Sequence, residues 1–332
     1  MATLTTTQPR QTTNPMHYLA QAWQTNRPLT FLGVSMLITL VVTFIGLIVD
    51  PRVITGQPAW LKPMKFAVSI SIYSFTLLWM LTYIKNRPRV VGFISWVTLI
   101  GFVIEMVAII GQVLRGTTSH FNRATPFDAF VFTWMGNAVV AIWLCCLIVG
   151  IYLMFQNLGD SAFGWSLRLG VLIGFIGMGL AFLMVIPTEE QLALAEQTGE
   201  LPISGAHAVS APDDAPGLPI VGWSTEGGDL RIGHFIGLHG MQVLPVIGLL
   251  LATPAMVGRY TLNGRRLLVF IAGFAYLGIT LLLTWQALRG QSIIAPDMVT
   301  LGALAILTAV TGIATYVTLK IFKMPTASNS GN

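Results

Sequence analysis

The sequence predicts an all-α, polytopic integral membrane bundle of about eight transmembrane helices, and three observations predict it. Hydrophobic residues make up 54% of the 332 residues and charged residues only 9%, where soluble globular domains carry about 25% charge. Mean hydropathy is +0.74. The apolar runs reach the roughly 18–20 residues a helix needs to cross a bilayer, without the two-residue alternation of barrel strands. A surface so poor in charge faces lipid.

Taken in order, residues 1–28 form a polar, Thr-rich tail. The tail lacks the basic start, apolar core and small-residue cleavage site of a signal peptide, so the first span is expected to be retained. A first half, 29–155, holds spans at 29–49, 64–84, 91–114 and 129–155. A second half, 156–322, holds spans at 164–187, 233–256, 266–288 and 298–322, and residues 323–332 are a short tail. The one long loop, 188–232, contains "EEQLALAEQTGE", which reads as a surface helix, and "SAPDDAPGLP", which reads as a turn-rich linker. A loop of that length is expected to be a functional cover or disordered. Cys145 and Cys146 are neighbours in the fourth span and match no metal or redox spacing, so they read as packing residues.

Lys and Arg set the expected threading. They gather at the ends of spans facing the same side as the N-terminus: Arg10, Arg27, "KNRPR" at 85–89, Arg168, "GRYTLNGRR" at 258–266, Lys320 and Lys323. Both termini are therefore expected in the cytoplasm, with the chain in a bacterial plasma membrane. The pI near 9.4 reflects that anchored face, and no nucleic-acid partner is expected.

An internal duplication into two parallel four-helix repeats is the next expectation. The third span ends "GQVLRGTTS" and the seventh "WQALRGQSI", pairing Gln112, Arg115 and Gly116 with Gln286, Arg289 and Gly290. "WLKPMKF" before the second span answers "DLRIGHF" before the sixth, and "LIVDP" answers "LMVIP". In that alignment Lys65 falls on His234 and Glu105 on Ile279, so the halves differ where the unusual polar residues sit.

Those polar residues collect at the outer ends of spans. Glu105 is the only acid inside any span, and an intramembrane acid is by default a functional candidate. Gln112 and Arg115 extend its helical face outward. His120, His234 and His239, with a carboxylate from Glu105, Asp128 or Asp229, would suit zinc or another borderline metal. Five residues of helix set His234 and His239 about 140° apart, a poor chelate unless Gly233 or Gly240 loosens the turn. Haem is the weaker reading, because only His239 lies well inside a span. The cofactor is thus left open. Lys62, Lys65, Arg115 and Arg289 form an outer basic set for an anionic group, with Gln112, Gln242 and Gln286 as polar contacts. Asp229 also reads as a cap for the sixth helix.

Three functions remain open, and whether the chain is an enzyme is one of the open points. The leading one is an outward-facing polar and histidine pocket acting on a lipid or amphiphile, with Glu105 or Asp128 as general base for a metal-bound water. The second is a secondary transporter with Glu105 as proton or cation site; it requires polar residues leading inward, and these are few, Ser95, Thr98 and Asn137, a scarcity that favours a one-sided site. The third is a non-catalytic partner or sensor subunit. No P-loop, dinucleotide fingerprint, nucleophile elbow or H-E-x-x-H is present.

Overall fold

The structure is a computed structural model that describes residues 14–325; the expected tails at 1–13 and 326–332 lie outside the described residues. A short helix α1 (Pro15–Thr25) precedes α2 (Arg27–Val49). A hairpin of β1 (Val53–Ile54) and β2 (Gln57–Pro58) leads to α3 (Leu61–Leu81), followed by α4 (Pro88–Leu114) and α5 (Pro126–Phe155). Then come α6 (Ser161–Gly179), a 3-10 turn at Leu180–Val185 and α7 (Glu189–Thr198). Strands β3 (Ala208–Val209) and β4 (Gly228–Asp229) pair antiparallel before α8 (Leu230–Leu238) and α9 (Gly240–Leu251). The chain closes with α10 (Pro254–Arg259), α11 (Leu262–Leu288) and α12 (Met298–Ile321). Among the described residues, eight spans are long and apolar enough to cross a membrane, with α8 and α9 forming one of them. The chain is an all-α polytopic bundle.

Several helices begin a turn before the apolar run does, because caps and prolines start them. Asn26 accepts from Leu29 N at 3.1 Å, Thr125 from Asp128 N at 3.1 Å, and Thr261 from Gly264 N at 3.3 Å. Such side chains satisfy amides that have no partner within the helix, and Pro28, Pro88 and Pro126 stand where no amide is needed. The sixth span is not one continuous helix. It divides at His239, between Gly237 and Gly240, and Pro245 removes a further backbone bond one turn on.

The helices pack in two groups, α2–α5 and α6–α12. In the first, α2 lies along α3, α4 along α5, and both α2 and α3 touch α4. In the second, α6 lies along α9, α11 along α12, and both α6 and α8 touch α11. The halves join through α5 and α6, where Ile142, Cys145, Cys146 and Val149 share one core with Leu167 and Val171. Both cysteines are buried packing residues, as expected. The turns divide between two ends of the bundle: a terminal face, carrying the described chain ends, and a loop face, carrying 115–125, 186–229 and 289–297.

Some terminal-face basic residues hold the fold together rather than reaching outward. Arg265, 5% exposed, binds Asp160 at 2.8 Å, tying α11 to the start of α6. Arg168 donates to the carbonyls of Leu153 and Gln156 at 3.1 and 2.9 Å, closing the turn after α5.

Candidate functional site

The loop face is built from three ordered segments. The hairpin before α3 is fixed by Asp50, whose carboxylate accepts from the Arg52 guanidinium and from Trp60 Nε1 at 2.7 Å. Helix α3 then places Lys62 and Lys65 one turn apart just beneath that hairpin. The second segment follows α4, which ends with Gly116 at φ +75° and Thr117 N donating to Gln112 O at 3.0 Å. That pattern satisfies carbonyls left open at a helix end and needs the left-handed residue that glycine supplies. α11 ends alike: Gly290 has φ +70° and Gln291 N donates to Gln286 O at 3.2 Å.

The third segment is the long loop, which is stitched down as a cover. Arg123 N donates to Pro202 O at 2.8 Å, Ser204 N to Phe121 O at 2.9 Å, and Ala206 N to Met184 O at 2.9 Å. Ser292 Oγ reaches Ser224 O at 3.2 Å. Phe121 holds φ +62°, a conformation that costs a bulky residue on the order of 1–3 kcal/mol. Its ring stands edge-on to His207, centroids 4.8 Å apart, and to Phe132 at 5.9 Å.

His207 is the residue that sequence reasoning missed. Asp213 Oδ1 accepts from the backbone amides of His207 and Ala208 at 2.8 Å each, and Asp213 Oδ2 lies 3.0 Å from His207 Nδ1. The carboxylate fixes the ring and leaves Nε2 available, the arrangement that orients a general base. Burial pushes the His207 imidazole below its ordinary value, and the Asp213 bond offsets only part of that. Burial raises the Asp213 carboxyl, but the bonds from His207 and the two amides hold it below the usual range. The only signal in the sequence was one histidine beside "APDDAPG", in a segment that reads as a linker.

Around this pair, beneath the long loop, the loop face gathers further titratable side chains, and this region is called the chamber below. Lys62 opens α3 there and is half-buried. Lys62 makes no hydrogen bond or ion pair among the described residues. Lys65 Nζ donates only to Val221 O, at 3.1 Å. His120 is half-buried, with Nδ1 3.0 Å from Ser119 Oγ and its ring 5.6 Å from that of Phe66. Burial pushes its imidazole well below the ordinary histidine range, with Lys62 and His207 adding to the effect. Glu105 is 1% exposed, and neither carboxyl oxygen has a partner. A buried polar atom left so costs about 1–3 kcal/mol.

Other expected site residues are placed elsewhere. His239, at the helix break, is exposed and pairs with Gln242 Oε1 at 3.3 Å, while Gln242 Nε2 donates to Thr76 Oγ1 at 3.1 Å. His234 Nδ1 is held by Gly177 O at 2.8 Å. The three histidines thus each have a separate partner: His120 lies against Ser119, His234 against Gly177 O and His239, exposed, against Gln242. Among the described residues no three His, Cys, Asp or Glu side chains converge as a metal site. Asp128 is occupied: Arg115 and Gln112 donate to Oδ1 at 2.5 and 2.8 Å, and Thr125 Oγ1 to Oδ2 at 2.6 Å. Asp229 caps α8 through Arg231 N at 3.0 Å and binds the Arg231 side chain. Arg289 binds Asp297 at 2.6 Å and Thr300 at 3.1 Å, and Gln286 Nε2 donates to Ser292 O at 2.8 Å. Arg115 and Arg289 thus each neutralise an acid of the following helix rather than forming a joint clamp. Beside Arg115, an apolar groove of about 420 Å³ runs between α4 and α5, lined by Val107, Ala108, Phe130 and Trp134.

Protein-family models, curated proteins and solved structures give no match to this chain.

Proposed function

We propose that this integral membrane protein binds the anionic group of a small amphiphile in the chamber beneath the long loop, on the outward side of the membrane. Lys62 carries the reading: a half-buried ammonium with no ion-pair partner among the described residues, beside Lys65, which has none either, while the nearby Asp213 and Asp229 are already paired. A bound anion would supply the missing charge, and burial makes that pairing stronger than it would be in water. The groove beside Arg115 offers an acyl chain a place at the same level.

His207, oriented by Asp213, is the group we assign to proton transfer on the bound molecule. This replaces the zinc-based mechanism, since the chemistry then rests on residues that do meet. The test is thermal unfolding of purified protein with octyl phosphate, against octanol as the uncharged control. Octyl phosphate is expected to raise the melting temperature of the wild type and not of Lys62→Gln. An equal response in both, or to both ligands, would sink the reading.

A carrier is the second reading, and the partnerless Glu105 favours it. We propose with it that the two halves are repeats. What supports this is that α4 and α11 are each 27 residues long, end on the same Q-x-L-R-G turn, and pair its arginine with an acid opening the next helix. Parallel repeats occur in carriers but are not confined to them.

A further inference from the structure

Six buried side-chain atoms among the described residues lack a partner, and four of them belong to Glu105, Tyr73 and Thr98. All three residues are at least nine-tenths buried. Thr98 and Glu105 stand two turns apart on one face of α4, a face that Gln112 continues upward. The Tyr73 ring on α3 meets Phe102, which lies between them, with centroids 5.4 Å apart. A threonine in a helix normally bonds the carbonyl four residues back; Ser95 Oγ does so, to Val91 O at 2.7 Å, and Thr98 does not. Polar atoms gathered without partners mark a place where water is held.

The track continues to the terminal face. Asn26 Nδ2 donates to Ser95 Oγ at 2.6 Å, one turn from Thr98. Asn26 also lines a cavity of about 270 Å³ with Thr25, Thr82 and Arg87. Between Ser95 and Gln112 the helix axis runs about 25 Å, most of the roughly 30 Å hydrocarbon layer. At the other end, Phe66 packs in the same core cluster as Met106, the neighbour of Glu105, and its ring stands 5.6 Å from that of His120 in the chamber.

We propose that Glu105, Tyr73, Thr98 and Ser95 form a water-lined proton passage through the first half, from the chamber to the cavity at Asn26. The titratable side chains on the elements around it include Lys62 and Tyr73 of α3, the Cys145 and Cys146 thiols of α5, and, at the terminal end, Arg27 at the start of α2 and Arg87 beside the cavity. A proton from water in the chamber neutralises the Glu105 carboxylate, then leaves through bound water and the hydroxyls to water in the cavity. One positive charge crosses per event and no bond of the protein is altered. The second half has Ile279 at the matching position and no such track. This goes beyond ligand binding in the chamber and does not depend on it.

The test uses the full chain in phosphatidylcholine–phosphatidylglycerol vesicles with a trapped pH dye, potassium and valinomycin balancing charge. After an external acid step, wild-type vesicles are expected to acidify several-fold faster than protein-free vesicles. Glu105→Gln should return the rate to the protein-free level, and Tyr73→Phe with Thr98→Val should lower it. If Glu105→Gln does not fold, the hydroxyl double variant decides on the same terms. Wild-type rates equal to those of protein-free vesicles, or unchanged in the variants, overturn the passage. The octyl phosphate measurement stands or falls separately, so the two failures are distinguishable.

Discussion

At the scale of single residues, the chamber is governed by groups whose charge the fold has altered. His120 and His207 are both held below the ordinary histidine value, so each is neutral in the folded chain near neutral pH. The unfolded chain then takes up protons more readily than the folded one below about pH 6.5. Their contribution to stability is complete above that value and is lost as the pH falls toward the depressed folded values. The melting temperature in detergent is therefore expected to drop from about pH 7 to about pH 5, and His120→Gln should flatten that slope. A variant with the wild-type slope would place the acid sensitivity elsewhere. Asp213 acts at lower pH: its carboxyl is held down, so its share is present above the free carboxylate range and lost below it.

At the scale of elements, the broken sixth span depends on how closely α6 and α8 approach. Gly177 and Gly237 face each other, and a Cβ at Gly177 would collide with the backbone of Gly237 and Leu238. Small residues allow that approach, and lipid gives helices little other reason to associate. The same contact places Gly177 O against His234. Gly177→Ala is expected to cost several degrees of melting temperature or the monodisperse state. Gly92→Ala, where nothing lies within 4 Å, should be neutral or stabilising by up to about 1 kcal/mol, since alanine is the better helix former. Paired melting curves on the two variants check this. Equal losses would mean that the close approach is not what the glycine supplies.

At the scale of the whole molecule, the eight spans among the described residues put the long loop at the end opposite the described chain ends. The excess of Lys and Arg at the terminal face is expected to keep that face in the cytoplasm. A cysteine placed at exposed Glu226 should therefore react with a membrane-impermeant thiol reagent in intact cells, and one at exposed Asn157 should not. The native Cys145 and Cys146 are buried and leave little background. The reverse labelling pattern would turn the protein over and put the chamber inside.

The sequence by itself determined the bundle. Length, hydropathy and the scarcity of charge act on every span independently, so eight helices and most of their ends were legible without knowing what packs on what. It also marked Glu105, because one acid in an apolar run stands out in any context. Capping residues are equally local, and Asp229 could be read as one from its position alone. What the tertiary structure decided was which polar groups meet. Arg115 and Asp128 are thirteen residues apart with a turn between them, and their pairing follows from how α4 hands over to α5. His239 stands exposed at a helix break and pairs with Gln242, which in turn bonds Thr76 of a distant helix. His207 enters the chamber only because the loop folds back over α3 and α8. Contacts between distant segments depend on packing and loop closure, and a periodicity read along one chain carries no record of either.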